Sequence, residues 1–385
     1  MATKILVINC GSSSVKFQVV EPLTKIQRIN GIAERLSTPK ASIKWKIEGK
    51  KETLKIPDFS HKMAFDNIFD IVKDFEISGV GHRVVHGGSY FKNSAVIDKE
   101  VKDKIKSLFP LAPLHNPKNL MGIELAEGKY ADTKHVAVFD TSFHVLSMPE
   151  KAYRYAVPDA WYRNHQVRRY GFHGTSHKYV AKQAAKILSQ PNLTVISAHL
   201  GHGCSIAAIK NGHSFDTSMG FSPLEGLIMG ARSGDIDVNV IPYICQQTNS
   251  KAEEVIDALN KQSGFGAVSG VQDSRDLEDL YFAGNVQAQV AIEMFCYKIA
   301  KYIASYFVTL DGIPDSLVFT AGIGERSPLK RKIITDYLKP FGYQIQEEYN
   351  SQNGVQINAN GTPNVLVIPT NEELVIAEET FELIK

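Results

Sequence analysis

Cysteine is scarce in this 385-residue chain, and its four cysteines, Cys10, Cys204, Cys245 and Cys296, form no CxxC pair. That scatter excludes a disulfide framework or a cysteine-rich zinc site and fits a reducing cytoplasm. An excess of one charge sign is also lacking: 43 Lys+Arg face 41 Asp+Glu, for a net +2. A broadly cationic surface for nucleic acid is therefore not expected. Long uninterrupted apolar runs are missing too. The N-terminal Ile5 to Ile8 run is too short for a signal peptide and leads straight into Asn-Cys-Gly-Ser. The apolar segment from Val286 to Leu310 contains Glu293, Lys298 and Lys301, and so reads as a buried helix rather than a membrane span. No low-complexity stretch or linker stands out. What remains is ordinary for a globular protein, with 43% apolar and 22% charged residues. The chain is too long for one ordinary core, so two domains are expected.

The apolar pattern supports an α/β chain. Residues 4–9 (KILVIN) predict a buried strand, followed by a Gly-Ser loop and a second strand, VKFQVV. Residues 26–56 continue in β structure, with Ser42 to Ile47 alternating polar and apolar. Helical patterns cover 62–75 and 98–108, and short strands are expected at 79–88 and 134–140. A second half starts near residue 150. It has a helix at 176–188 with Ser176 as its N-cap, a strand at 193–200, a small-residue loop, and the strand and turn IAAIKNG. Strand, small-residue loop, strand thus occurs once in each half, a weak internal repeat. Later come a long core helix at 286–310, strands at 316–321 and 364–369, and a final helix.

Several loops carry chemistry. Asn9-Cys-Gly-Ser-Ser-Ser-Val-Lys16 lies between two strands, where Gly11, the hydroxyls of Ser12, Ser13 and Ser14, and Lys16 suit a phosphate. It lacks P-loop spacing, and a plain hairpin turn fits equally well. His199-Leu-Gly-His-Gly-Cys-Ser205 repeats that logic in the second half. One such loop is weak evidence, but a pair suggests a nucleotide held between related domains. Asp273-Ser274-Arg275-Asp276 offers groups for a base, ribose or phosphate; helix capping with a surface ion pair is the structural alternative. Gly322-Ile323-Gly324-Glu325-Arg326 follows a strand and permits close approach of a flat ligand such as adenine, although GxG alone is common. Asn371-Glu372-Glu373 suits either a cation held beside phosphate or a helix N-terminus. Arg83, His115, Asp140, His173 and Arg232 all fall in loops; each alone fits a structural role, and together they fit anion chemistry only if they converge.

Taken in order, these segments resemble the acetate kinase family, within the acetate and sugar kinase, Hsp70 and actin superfamily. The resemblance rests on NCGSSSVKF (9–17), GHRVVHGG (81–88), LAPLHNP (111–117), FDTSFH (139–144), RRYGFHGTSHKYV (168–180), HLGHGCS (199–205), GARSGDID (230–237), DSRD (273–276), GIGE (322–325) and TNEE (370–373). It covers essentially the whole chain. It implies two duplicated actin-like (ribonuclease H-like) α/β domains with an active-site cleft between them. The first would span 1–149 plus 370–385, and the second, nucleotide-binding domain 150–369. It further implies a cytoplasmic homodimer that interconverts acetate plus ATP with acetyl phosphate plus ADP, using Mg²⁺ or alternatively Mn²⁺.

Position by position, the resemblance implies a metal site at Asn9 and Glu372. Nucleotide contacts fall to Ser12, Ser14, Lys16, His199, Leu200, Gly201, His202, Gly203, Asp273, Ser274, Arg275 and the 322–326 segment. Arg83 would bind the carboxylate, Asp140 would be the essential acidic residue, His173 and Arg232 would stabilise the transition state, and His115 would be a further active-site histidine. Val85, Leu114, Phe172 and Pro223 would enclose the acyl methyl. Three positions depart from the family pattern: His202 replaces a common Asn, Arg326 follows GIGE where Asn is usual, and Val238 stands in place of a proline. The first two fall on presumed nucleotide contacts. Propionate kinase is the nearest alternative reading, and an actin-like or Hsp70-like ATP switch is the alternative from another class.

Overall fold

The computed structural model describes residues 3–385 and divides the chain into two compact units, Met1–Leu146 with Asn371–Lys385, and Ser147–Thr370. The first unit is built on an eight-stranded sheet. Its strands in chain order are β1 (Lys4–Cys10), β2 (Ser14–Glu21), β3 (Ile26–Glu34), β4 (Ser42–Ile47), β5 (Lys50–Lys55), β6 (Ile77–Val84), β7 (Ala95–Val96) and β8 (His135–Phe139). They lie in the order β5-β4-β3-β2-β1-β6-β8-β7. β1 pairs antiparallel with β2 and parallel with β6, and β6 pairs parallel with β8.

β1 and β8 are largely buried and correspondingly rich in aliphatic residues, whereas β5 (KKETLK) is wholly exposed. Lysines on that last edge strand discourage pairing with another chain. β4 and β5 are joined by Glu48-Gly49, both at positive φ, 47° and 84°, the two-residue turn that matches strand twist. The core packs Leu6, Ile8, Val15, Phe17 and Val19 against Ala64, Phe65 and Ile68 of the helix His61–Ile71. The C-terminal helix Glu372–Ile384 lies on β6, where two glycines make room: a Cβ on Gly81 would fall 2.4 Å from the Thr380 hydroxyl and 2.8 Å from Ile376.

The second unit has a five-stranded sheet formed by β9 (Thr194–Leu200), β10 (Cys204–Lys210), β11 (His213–Thr217), β12 (Ser316–Thr320) and β13 (Asn364–Val367). Its order is β11-β10-β9-β12-β13, with β9 antiparallel to β10 and parallel to β12. The central five strands of the first unit, β3-β2-β1-β6-β8, follow the same plan. The suspected internal repeat is therefore a repeated sheet topology, and the architecture is the duplicated actin-like α/β fold. The long helix Val286–Thr309 buries Ile292, Phe295, Ile299 and Ile303 in this unit's core, with Phe265 edge-on to Phe295 at 5.7 Å. Among the described residues, no helix is long and apolar enough to cross a membrane.

One expected cap is corrected. The helix of the second unit runs from Gly174 to Ile187, with His173 at its N-cap position, so Ser176 lies inside the first turn and is buried. Its hydroxyl is engaged by His199 and Thr370 instead. After its strand, GIGE forms part of a short helix, Ala321–Arg326.

Candidate active site

In the first unit the ends of β6 and β8 bring Arg83 beside Asp140. The guanidinium Nη2 donates to Asp140 Oδ2 at 2.8 Å, and Nε lies 3.7 Å from Glu372 at the start of the C-terminal helix. The Asp140 side chain is 1% exposed, and those of Arg83 and Glu372 are 16% and 20% exposed. Burial disfavours the Arg83 charge, but Asp140 and Glu372 outweigh it, and its pKa is raised. Burial pushes the Glu372 carboxyl up to about 7, which Arg83 opposes while Asp140 and Glu373 reinforce it. Two carboxylates thus face one arginine.

Arg83 itself lies in β6 rather than in a loop as expected, and the loop that follows it is held by residues to which the sequence reading gave no role. Asn116, inside the flagged LAPLHNP segment, and Asn119 just beyond it are buried in the helix Asn116–Lys129. Asn119 accepts from the Val85 amide at 3.0 Å and donates to the Cys10 carbonyl at 2.7 Å. Asn116 bonds both backbone groups of His86, at 3.1 and 2.9 Å, and Thr141 accepts from the Gly87 amide at 3.0 Å. These bonds satisfy backbone groups that no strand pairs, and fix the loop that follows Arg83 and carries Val85. An Asn-Pro helix start with a second asparagine three residues on was the available signal. The β1–β2 turn closes through the Gly11 amide and Ser14 carbonyl at 2.7 Å. It exposes Ser12, sets Asn9 opposite Lys16 across the pair, and leaves Lys16 in an open groove with Gln18 and Glu373. His115 occupies the N-cap position of its helix without a side-chain capping bond. Val85 is buried, and Leu114 is 60% exposed.

In the second unit the 199–203 loop leads from β9 to β10. Gly203 lacks the side chain that would otherwise fill the site: a Cβ there would lie 3.1 Å from His173 Cε1 and Nε2, and 3.8 Å from Arg232 Nη1. His173 and Arg232 therefore converge on one small space beside this loop. His173 adopts φ 57°, a left-handed conformation that costs a non-glycine residue about 1–2 kcal/mol. Its ring is pinned by Nδ1 against Ser205 Oγ at 2.9 Å and by stacking on His199 at 4.1 Å. Ser205 Oγ also meets His177 Nε2 at 2.8 Å, and His177 Nδ1 meets Ser197 Oγ at 2.9 Å. Buried hydroxyls and imidazoles thus orient the residue from behind.

Arg232 is placed differently. Its only described polar neighbours are the Pro223 carbonyl at 3.5 Å and the Met229 sulfur at 3.6 Å, and no carboxylate pairs with it among the described residues. Burial alone lowers its pKa. A half-buried guanidinium with no counter-anion has unspent attraction for a ligand's negative charge. Phe172 is buried beside His173, and Pro223 is partly exposed.

The remaining sequence-selected positions are less concentrated. Asp273 caps the helix Ser274–Phe282 through the Arg275 amide at 2.8 Å and pairs with the Arg275 side chain at 2.7 Å, the structural alternative noted for that motif. Gly201 abuts Ala321, whose Cβ would be 3.5 Å from a side chain at Gly201, so the 199–203 loop and the GIGE helix are neighbours. Glu325 of that helix accepts from the Thr370 amide at 3.0 Å, and His202 is exposed. Two buried cations that the sequence reading missed connect these segments. Lys330, 1% exposed, reaches the Ser274 hydroxyl at 3.0 Å and pairs with Glu278. Fully buried Arg331 donates to the Gly324 carbonyl at 2.8 Å and otherwise to neutral groups of Asn350 and Asn353, and burial lowers its pKa to about 10.

The chain matches the model of the acetokinase family over residues 4–378. It is 44% identical to an acetate kinase of Carboxydothermus hydrogenoformans, over 99% of each chain. It is 45% identical to one of Ectopseudomonas mendocina, over 100% of this chain and 99% of that one. Among solved structures it is similar to a propionate kinase of Francisella tularensis subsp. tularensis, with a TM-score of 0.96 and 43% identity over 99% of each chain. It is also similar to the Porphyromonas gingivalis acetate kinase, with a TM-score of 0.93 and 40% identity over the whole of both chains. With a family match of this extent and relatives of this identity, the chain belongs to the acetokinase family.

Proposed function

We propose that this protein is an ATP-dependent acetate kinase that interconverts acetate plus ATP with acetyl phosphate plus ADP. The observation that carries the reading is the convergence of His173 and an uncompensated Arg232 on the space that Gly203 leaves open. Acetate is already ionised at neutral pH, so no general base is required. The difficulty is the repulsion between two anions and the charge on the moving phosphoryl group. In the proposed path an acetate oxygen attacks the γ-phosphorus in line, and the bond to the β–γ bridging oxygen breaks, releasing ADP. Arg83, held against Asp140, binds the acetate carboxylate. Arg232 and His173 stabilise the equatorial oxygens of the phosphoryl group. Asp140 acts by orienting Arg83, consistent with their 2.8 Å bond.

The donor set near Glu372 suits a hard divalent cation. Asn9 offers an amide oxygen, and Glu372 and Asp140 offer carboxylate oxygens beside Arg83. Asn9 and Glu372 would hold Mg²⁺, or Mn²⁺ in its place; when bound, the ion would neutralise phosphate charge. The nucleotide would contact Ser12, Ser14 and Lys16, the 199–203 loop, Asp273 to Arg275 and the 322–326 segment. Val85, Leu114, Phe172 and Pro223 would enclose the methyl group. We further read the protein as cytoplasmic and dimeric. An exposed apolar stripe of Val286, Val290, Met294 and Tyr297 on the long helix supports a second copy there.

Propionate is the second substrate reading, because a propionate kinase shares 43% identity with this chain. One methylene in an apolar pocket discriminates by only about 1–3 kcal/mol. The test is formation of acyl hydroxamate from Mg·ATP, hydroxylamine and acetate, propionate or butyrate. Strongest turnover with acetate is expected. Stronger turnover with propionate would reassign the substrate, and none with any acid from folded, ATP-binding protein would revive the switch reading.

A further inference from the structure

Arg232 stands on a loop whose neck is closed by a residue to which no chemistry has been attributed. Asp235 Oδ1 accepts from the Gly226 amide at 2.7 Å, while the Asp235 amide donates to the Gly226 carbonyl at 3.1 Å. Two opposed bonds therefore cinch residues 226–235 into a closed loop. Backbone approach at the neck is so close that Gly226 (φ 107°) and Gly234 (φ 71°) have no space for side chains. A Cβ on Gly226 would lie 2.5 Å from the Ser218 carbonyl oxygen, and one on Gly234 would lie 2.7 Å from the Gly226 carbonyl oxygen. The other carboxylate oxygen of Asp235 accepts from the Tyr302 hydroxyl at 2.7 Å and pairs with Lys298 at 2.9 Å. Both of these groups stand on the long core helix Val286–Thr309. The neck is thus tied to the longest helix of the unit.

The rest of the loop is lashed from its far side. The Ser263 amide donates to Ala231 at 2.9 Å, Phe265 to Met229 at 2.9 Å, and Gly266 to Gly230 at 2.9 Å. The chain segment before the neck has its own brace. Arg169 donates to the carbonyls of Thr217, Ser218 and Met219 at 2.8, 3.1 and 3.2 Å, and pairs with Glu225 at 2.5 Å. That segment carries Pro223, whose carbonyl is one of the two contacts of the Arg232 side chain. The neck therefore fixes the spacing between Arg232 and Pro223, and with it the approach of Arg232 to Gly203 and His173.

We propose that Asp235 is a positioning residue for phosphoryl transfer, holding Arg232 in register through the 226–235 neck. The proposal rests on the function given above for Arg232. A guanidinium without a counter-anion has little of its own to hold it in place, so its pre-organisation must come from the backbone beneath it. Displacement by about 1 Å at such a site costs on the order of a hundredfold in rate.

The test is a double-mutant cycle read in the hydroxamate assay with Mg·ATP and acetate, with thermal unfolding of each protein alongside. Asp235→Ala is expected to lower kcat by about tenfold to a hundredfold, with the KM for ATP changed less than about threefold. Asp235→Asn, which retains the acceptor for the Gly226 amide, should recover much of that loss. In an Arg232→Ala background, Asp235→Ala should lower the residual kcat by less than about twofold, because the group it positions is gone. Equal fold-losses with and without Arg232 would overturn the proposal, as would a wild-type kcat in Asp235→Ala. If Asp235→Ala does not fold, Tyr302→Phe carries the same cycle, with a smaller expected loss and the same requirement for non-additivity. A wild-type chain that forms no acyl phosphate would overturn the underlying function; an active chain with an additive cycle would overturn only the role of Asp235.

Discussion

Replacing Arg232 with alanine separates chemistry from stability more sharply than any other substitution here. The guanidinium sits where Gly203 leaves space, with Nη1 3.8 Å from the position a Cβ would take and the His173 ring at 3.1 Å. Pre-organised donors aimed at developing charge are worth about a hundredfold to a thousandfold in kcat, or about 2.7–4 kcal/mol. Arg232→Ala should therefore lower kcat by at least about a hundredfold in the hydroxamate assay. Stability should move the other way or not at all. Among the described residues the side chain has no carboxylate partner, its two polar contacts are long at 3.5 and 3.6 Å, and burial lowers its pKa. The folded state thus opposes this charge, and truncation relieves that opposition at the loss of only modest packing. The unfolding temperature should be unchanged or raised. Arg232→Lys should recover little activity, because an ammonium is a point charge without the planar fork. A kcat within about threefold of wild type, or a fall of more than about 4 °C in unfolding temperature, would refute the reasoning.

Three further outcomes follow from the same geometry. Gly203→Ala brings a methyl to 3.1 Å from a His173 ring held by Ser205 and His199, and should cut kcat about tenfold or more without unfolding the protein; an active variant would show that the space is not used. Glu372 has its carboxyl raised by burial from 4.5 to about 7, so the folded state binds the proton more tightly than the unfolded chain. Stability from this group is complete below about pH 4.5 and is lost as pH rises through about 7, by at most about 3 kcal/mol. Melts without divalent cation should show that slope in wild type and a flatter one in Glu372→Gln; identical slopes would refute the assignment. Arg331→Met removes the donor to Gly324 and strands the acceptors of Asn350 and Asn353, so it should raise the KM for ATP more than that for acetate. Equal effects on both would mean that Arg331 supports the unit generally.

The strands were the legible part of the fold, because β1, β8, β9 and β12 are buried runs whose apolar residues have no alternative use. β11 (HSFDT) was missed because its edge position leaves too few buried side chains to create a pattern. The helix Asn116–Lys129 escaped notice because its buried face includes Asn116, Asn119 and Gly122 as well as aliphatic residues. Its polar buried residues serve backbone groups of other segments, a task with no periodicity. The misassigned cap at Ser176 has a similar origin: serine reads as a local capping group, whereas this hydroxyl serves His199, 23 residues on. Motif by motif, the candidate site residues could be named in the sequence. The residues that hold them, Asn116, Asn119, Lys330, Arg331 and Asp235, were given no role, even where a flagged motif contained them, since their partners are assembled only by folding.

The shared strand order has a consequence for how such a catalyst can be altered. In the first unit the Asp140 amide donates to Val84 at 2.9 Å, and in the second the Ile368 amide donates to Phe319 at 3.0 Å. These are corresponding addresses, at the tips of the fourth and fifth strands of each plan. One copy holds Arg83 and Asp140 there; at the same register positions the other holds Val318 and Ile368, both neutral, and the nearby Thr320 hydroxyl donates to the Ile368 carbonyl at 2.6 Å. The same pair of strand tips is thus a charged clamp in one half and a neutral, backbone-bonded pair in the other. On the role proposed for Arg83, a new acid substrate is to be sought by rewriting the first pair of tips, while the loop that bears Gly203 is left as it stands.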